Sequence, residues 1–262
     1  TNAMQRIARE LNLAETAFVF PTTRNDCAAQ VRIFTPSKEM LFAGHPTIGT
    51  GYVLLDEGLV DSSSGTFCLE ENVGPVPVRV EAGSRTMLWL STPPIQFGRC
   101  YDASLCAAAL GLGENDLLDI PPQWLSAGNP TVFVALRDKE AVDRAWMDLS
   151  GLKHLRGTEP EPMCAFVFTP TAEGAYSRMF APEYGIAEDP ATGSSTGPLA
   201  ALMMRHGLVP ATAGTRFVSE QGAKMGRRSL LHVHIRGANG AEGIEVGGHT
   251  TPVATACLHL HI

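Results

Sequence analysis

Apolar positions recur along the chain with two different periods, and the switches between them outline its elements. Short runs in which apolar and β-branched residues alternate or cluster predict strands at 16–20, 30–35, 65–71, 74–81 and 86–91. A second set follows at 131–136, 164–169, 176–181, 215–219, 228–236, 243–247 and 253–261. Helical spacing fits 3–12, 46–57, 103–111, 138–147 and 194–206. Strands that arrive as consecutive pairs favour antiparallel neighbours over a doubly wound parallel sheet, so the fold class expected is α+β. The Pro- and Gly-rich stretch from Thr92 to Gly98 is the natural boundary, dividing the chain into 1–97 and 98–262.

The chain also repeats itself. Ala17-Phe18-Val19-Phe20 recurs as Ala165-Phe166-Val167-Phe168, an offset of 148. Arg32-Ile33-Phe34-Thr35-Pro36 is echoed by Arg178-Met179-Phe180-Ala181-Pro182, an offset of 146. Gly44-His45-Pro46-Thr47-Ile48-Gly49-Thr50 lines up with Glu188-Asp189-Pro190-Ala191-Thr192-Gly193-Ser194, an offset of 144. Both copies run on into an apolar helical stretch ending in Gly-Leu-Val, at 58–60 and 207–209. Three matches in one order indicate two similar halves, and this alignment makes His45 and Asp189 equivalent. The second half has Ser126-Ala127-Gly128-Asn129-Pro130 and a strand ahead of Ala165, whereas only helix 3–12 precedes Ala17. The first half is therefore expected to lack its first strand, which would lie upstream of Thr1; if Thr1-Asn2-Ala3 is an added leader, that half is simply shorter.

Composition narrows the function. The chain has 262 residues, 44% of them apolar and 18% charged, enough apolar content for a large core and too little charge for disorder. The net charge is −7 and no basic run or Arg/aromatic stripe appears, so nucleic acid is not an expected partner. Apolar stretches are too short to span a membrane and the N-terminus has no signal-peptide pattern, which points to a cytoplasmic protein. Six cysteines at 27, 68, 100, 106, 164 and 257 have no paired spacing, so they are expected as reduced, buried thiols rather than a zinc site or disulfide framework. His232/His234 and His259/His261 share strand faces without a nearby carboxylate or third histidine, and are expected as ordinary strand residues. No metal site is expected.

The repeated turns carry the candidate chemistry. In each, a proline fixes the backbone as a helix begins and glycine permits close approach to a ligand. The N–H groups at a helix start then face outward as an anion site. Gly44, Thr47, Gly193 and Ser195 are the expected substrate-binding residues, with Ser194 and Ser195 as hydroxyl and N–H donors. If a pseudo-twofold relates the halves, His45 and Asp189 face one cleft. Glu15, among small and apolar neighbours at a helix-to-strand turn, is a candidate proton carrier if burial raises its pKa. Gly193-Ser194-Ser195-Thr196-Gly197 matches the GxSxG elbow of serine hydrolases, but that elbow needs a buried strand before the serine, and Ala187-Glu188-Asp189-Pro190 does not read as one.

Asn12-Leu13-Ala14-Glu15-Thr16, Phe42-Ala43-Gly44-His45-Pro46-Thr47, Glu188-Asp189-Pro190-Ala191-Thr192-Gly193-Ser194 and the block Ser219 to Arg227 resemble signatures of the PhzF-like, phenazine-biosynthesis family. The resemblance runs from residue 4 to 262. It implies a diaminopimelate-epimerase-like fold: two similar halves, each a curled, mostly antiparallel sheet around a central helix, with the last strand crossing back to the first half. It also implies a cofactor-free homodimer that acts on a small carboxylated, cyclic substrate of the dihydro-hydroxyanthranilate kind. Carried over by motif, Glu15 is the residue that moves a proton between carbons, with His45, Asp189 and Ser194 beside it. Related epimerases use two cysteines in the repeated turns, and neither turn here holds one. A non-thiol epimerase or racemase and a catalytically inactive ligand-binding protein are the alternatives.

Overall fold

The computed structural model describes residues 1–61, 63, 65–158, 162–237 and 243–259. Helix α1 (Asn2–Leu11) leads into strands β1 (Thr16–Phe20), β2 (Ala29–Phe34) and the short β3 (Glu39–Met40). Helix α2 (Gly44–Asp56) follows, then β4 (Thr66–Glu71), β5 (Gly74–Glu81) and β6 (Met87–Ser91). After β7 (Gln96–Cys100), α3 (Ala103–Ala109), β8 (Gln123–Ser126), β9 (Thr131–Ala135), α4 (Lys139–Arg144) and α5 (Leu149–Arg156), the first series recurs. It runs through β10 (Cys164–Thr171), β11 (Gly174–Ala181), β12 (Ile186–Asp189), α6 (Gly193–Arg205), β13 (Arg216–Gln221), β14 (Ser229–Ile235) and β15 (Ile244–Gly248).

The pairings repeat with the elements. β1–β2 is antiparallel, β2–β4 parallel, and β4–β5 and β5–β6 antiparallel. β10–β11 is antiparallel, β11–β13 parallel, and β13–β14 and β14–β15 antiparallel. β3 lies on β2 as β12 lies on β11. The class is α+β, with two similarly wound halves. β15 pairs with β6, Val246 opposite Leu90, so the two series form one continuous sheet.

The central helices explain the curling. In α6 every residue from Gly193 to Met204 is buried, and in α2 Pro46, Thr47, Ile48, Thr50 and Leu54 are. A helix apolar on all sides must be wrapped rather than laid on a surface, and the sheet supplies the wrapping. One core joins Val31, Ile33 and Phe42 of the first half to Phe133, Phe166 and Leu199 of the second. The alternate residues Val132, Val134, Ala165 and Val167 face a second core under α3, α4 and α5, as the two-residue period of a strand dictates. Those outer helices start on aspartate caps: Asp102, Asp138 and Asp148 accept from the N–H groups of Leu105, Ala141 and Gly151. The central helices α2 and α6 have no side-chain cap.

Several expectations are corrected. The halves do not correspond at an offset of 144 through the turns. α2 and α6 both have 13 residues and begin at Gly44 and Gly193. The C-terminal bonds Leu59 N–H to Leu54 and Leu208 N–H to Met203 keep the resulting offset of 149. The shared Pro-x-x-Gly spacing had matched out of register, and His45 corresponds in the fold to Ser194, while Asp189 lies earlier, on β12. That four-residue strand was not expected, its two carboxylates hiding it from a hydrophobicity pattern. Only Asp189 of it is buried, so the stretch before the GxSxG sequence is not the buried strand an elbow needs, as expected. Residues 253–259, read as a strand, have none and are exposed, and positions 260–261 of that run lie outside the described residues. The short strands β3, β7 and β8 and helix α5 were also not expected; β7 falls largely within the Pro/Gly-rich stretch. Of the cysteines expected to be buried, Cys100 and Cys257 are exposed.

Candidate active site

Glu15 sits where α1 ends, in a turn set by Asn12 in the left-handed region at φ 50°. The turn delivers its carboxylate to the start of α2. Glu15 Oε2 lies 3.0 Å from His45 Nε2, and the other imidazole nitrogen, Nδ1, lies 3.0 Å from the carbonyl oxygen of Ala191. Both ring nitrogens thus lie against oxygens, a setting that favours the protonated imidazole. Burial opposes that charge. The hydrogen bond and charge of Glu15, the charge of Asp189 and the Ala191 carbonyl outweigh it and raise His45 to about 9.

Asp189 ends β12, opposite Met179 of β11, and is buried. Burial and the nearby Glu15 charge push its pKa up, although His45 and the Thr192 hydroxyl pull the other way. Thr192 Oγ1 donates to Asp189 Oδ2. Gln221, fully buried, donates from Nε2 to the Asp189 carbonyl at 2.6 Å and to Thr192 Oγ1 at 2.9 Å, and accepts from the Thr192 N–H at 3.1 Å. This clip leaves Asp189 Oδ1 as a buried oxygen with no partner among the described residues. Ser194 Oγ accepts from Asn129 Nδ2 at 3.1 Å, and the same amide donates to the Phe42 carbonyl at 2.7 Å. The Ser194 O–H therefore remains to be offered to a ligand.

Glu15, Asn129, Cys164, Asp189, Thr192 and Ser194 line a small cavity of about 30 Å³, room for about one water. Gly44, His45 and Gly193 line the wall of a larger cavity of about 660 Å³. His45 thus stands between the two. Of the residues singled out from the sequence, Glu15, His45, Asp189 and Ser194 are brought together, with Gly44 and Gly193 at the junction. Thr47 and Ser195 are not. Thr47 is fully buried and its hydroxyl donates to the Ala43 carbonyl and to Glu71 Oε1 at 2.5 Å. Ser195 Oγ is 3.2 Å from Thr131 Oγ1, turned into the core, which rules against a serine-hydrolase nucleophile.

Other residues of the site were not foreseen. Asn129 and Gln221 lay within stretches singled out for other reasons, but their contacts with Ser194 and Thr192 cross 65 and 29 residues. Glu71 has no local signal at all. Its carboxyl receives the Thr47 hydroxyl and the Ala43 N–H at the start of α2, and burial pushes its pKa up to about 8 despite those bonds. Donor atoms of Glu15, His45 and Asp189 lie within 4.8 Å of one another, the spacing of a cation site. An imidazolium with both nitrogens protonated has no lone pair for a metal, so the trio as charged here suits proton chemistry. His232 and His234 flank Trp89, with ring centroids 6.5 and 5.9 Å away. Contrary to expectation, a carboxylate and a third histidine are near: His234 Nδ1 lies 3.3 Å from Glu245 Oε2, and the His249 ring is 6.2 Å from that of His232. Strand pairing and not sequence spacing creates these contacts. His259 is exposed and His261 lies outside the described residues.

The two similarly wound halves of the α+β chain thus bring Glu15, His45 and Asp189 together beside the apposed starts of α2 and α6. The profile of the phenazine biosynthesis-like proteins, PhzC-PhzF, matches residues 1–256, and the chain belongs to that family. It is 35% identical to an uncharacterised isomerase of Mesorhizobium japonicum, over 99% of this chain and 89% of that protein. It is 32% identical to the trans-2,3-dihydro-3-hydroxyanthranilate isomerase of Pseudomonas aeruginosa, over 98% of this chain and 88% of that one. A solved Pseudomonas aeruginosa structure described as a predicted epimerase superposes with a TM-score of 0.81 at 31% identity, covering 99% and 89% of the two chains. Isomerase is the enzyme class these relatives support. Among the described residues no helix is long and apolar enough to cross a membrane.

Proposed function

We propose that the chain is a cofactor-independent isomerase that shifts a proton within a small, carboxylated, cyclic substrate of the dihydro-hydroxyanthranilate kind. The observation that carries this reading is the 3.0 Å pair between Glu15 and a His45 whose other nitrogen meets the Ala191 carbonyl, with Asp189 alongside. Glu15 takes a proton from a ring carbon; the C–H bonding pair enters the ring π system, and the proton returns at another carbon. His45, held as a cation by its two acceptors, stabilises the negative charge that develops. The Ser194 O–H and the N–H groups at the uncapped start of α6 hold the substrate carboxylate. General acid–base transfer of this kind contributes roughly 10²–10⁴-fold in rate, and positioning contributes more. Glu15 and Ser194 line the smaller cavity, so a ring that enters from the larger one reaches them past His45, which stands between the two.

Proton NMR in D₂O with trans-2,3-dihydro-3-hydroxyanthranilate tests the reading. Loss of a ring C–H signal with deuterium arriving at a different carbon supports it, and no exchange over hours counts against this substrate. A second reading, a non-thiol epimerase, draws on the structural neighbour described as an epimerase. It would show instead as racemisation of a chiral amino acid in D₂O, with both helix-start positions filled by His45 and Ser194 rather than cysteine.

A further inference from the structure

Two thiols far from the Glu15–His45 pair meet at the edge of the first half. Cys27 lies in the segment joining β1 to β2, and Cys68 is on β4. Their sulfurs are 2.9 Å apart, closer than two non-bonded sulfurs usually pack and longer than the roughly 2.05 Å of a disulfide. The backbone holds them in this position: the Ala28 N–H donates to the Cys68 carbonyl at 2.7 Å, and the parallel β2–β4 pairing begins one residue further, Ala29 opposite Leu69. The rest of the segment is fastened to the same strand. Thr22 Oγ1, the Thr23 N–H and Thr23 Oγ1 donate to the Glu70 carboxylate at 2.7, 2.8 and 2.6 Å. The two sulfurs therefore need only a short approach, and no strand has to move to allow it.

The surroundings distinguish the two. Cys27 is buried, and the Arg24–Asp26 ion pair stands in the residues just before it. Cys68 is half-buried, and burial together with its neighbour Cys27 pushes its thiol up to about 12. At 2.9 Å either sulfur is within reach of the other once one of them is oxidised.

We propose that Cys27 and Cys68 are a redox-active dithiol that takes a small peroxide or disulfide oxidant and closes reversibly to a disulfide. With hydrogen peroxide, one sulfur of the pair, having given up its proton, bonds to one peroxide oxygen; the O–O bond breaks, and the departing hydroxide takes that proton and leaves as water. The other sulfur then attacks the resulting sulfenic sulfur; the S–O bond breaks, and the second thiol's proton leaves with that oxygen as a second water. The bond closes a covalent loop from 27 to 68, which contains β2, β3 and the His45 turn. It needs neither the proposed substrate nor the proposed reaction.

The test uses the whole chain carrying Cys100→Ser and Cys257→Ser, so that the two exposed thiols are silent. After treatment with hydrogen peroxide and blocking of remaining thiols, tryptic digestion without reductant should yield peptide 25–32 joined to peptide 39–79, lighter by two hydrogens than their sum. Dithiothreitol should separate them, and the oxidised chain should melt at a higher temperature than the reduced one. Adding Cys27→Ser should abolish the joined peptide and the melting shift while leaving turnover within twofold. Blocking of both thiols with no joined peptide, or over-oxidation of Cys27 to a sulfinic acid in its place, would overturn the proposal.

Discussion

Gly44 and Gly193 touch backbone to backbone: a Cβ placed on Gly44 would stand 2.5 Å from the Cα of Gly193, and one on Gly193 would stand 2.9 Å from the Cα of Gly44. The starts of the two central helices therefore meet with nothing between them. The contact brings His45 of one half within 3.0 Å of Ala191 of the other. Gly44→Ala or Gly193→Ala must separate the helix starts. We expect a loss of about 1–3 kcal/mol from overpacking, and a fall in kcat/KM of about 10²-fold from displacement of the paired groups by around an ångström. Urea unfolding and steady-state kinetics on the two variants measure both effects.

The charge on His45 sets a pH limit. Its folded pKa of about 9 lies above the value near 6.5 of an unpaired histidine. The stabilisation from its ion pair is fully present below about pH 6.5 and is lost as pH rises through 9. The side chain is 40% exposed, so solvent screening keeps the effect on stability small. Turnover should respond more strongly, falling on the alkaline side with an apparent pKa near 9. A His45→Gln variant should lack that alkaline limb in its kcat/KM profile.

Glu71 makes the opposite kind of prediction. It is buried and its pKa is pushed up to about 8, so between about pH 4.5 and 8 the unfolded chain gives up a proton that the folded chain keeps. Folding stability attributable to this group falls as pH rises across that window. Glu71→Gln keeps the acceptor for Thr47 and Ala43 without the titration. Urea midpoints of the parent should decline from pH 5 to 8 more steeply than those of the variant, and parallel curves would contradict the assignment.

Three donor groups within 4.8 Å invite a metal test. Because both His45 nitrogens are committed as donors, dialysis against EDTA should leave turnover within twofold of the untreated enzyme. Added zinc should inhibit by displacing a proton from His45, and the inhibition should ease as pH falls.

Much of this site was legible in the chain because its chemistry is local to short motifs. Glu15, His45 and Ser194 each sit at an element boundary that hydrophobic periodicity marks, Asp189 stands in a motif beside one, and the repeat implied that the turns come together. Register was the weak link. Pro46 and Pro190 each stand three residues before a glycine, and that spacing aligned the turns five residues away from the offset of 149 set by Gly44 and Gly193. Asn129 and Gln221 escaped because an amide announces nothing until the fold brings it to Ser194 or Asp189. Strand β12 escaped because only Asp189 of its four residues is buried, and that residue is charged. Helix α5 had readable signals at both ends, the Asp148 cap and Gly157 in the left-handed region, and was missed for its short apolar pattern.

The central claim is that the Glu15 carboxylate carries the proton. Glu15→Gln keeps the size of the side chain and an oxygen to accept from His45 Nε2, and removes the base. With trans-2,3-dihydro-3-hydroxyanthranilate in D₂O, the variant should lose at least 10²-fold in both turnover and deuterium incorporation, while its Kd for an unreactive carboxylated ring analogue stays within a few-fold. A fall in turnover of less than tenfold, with binding unchanged, would contradict the assignment of Glu15 as the base.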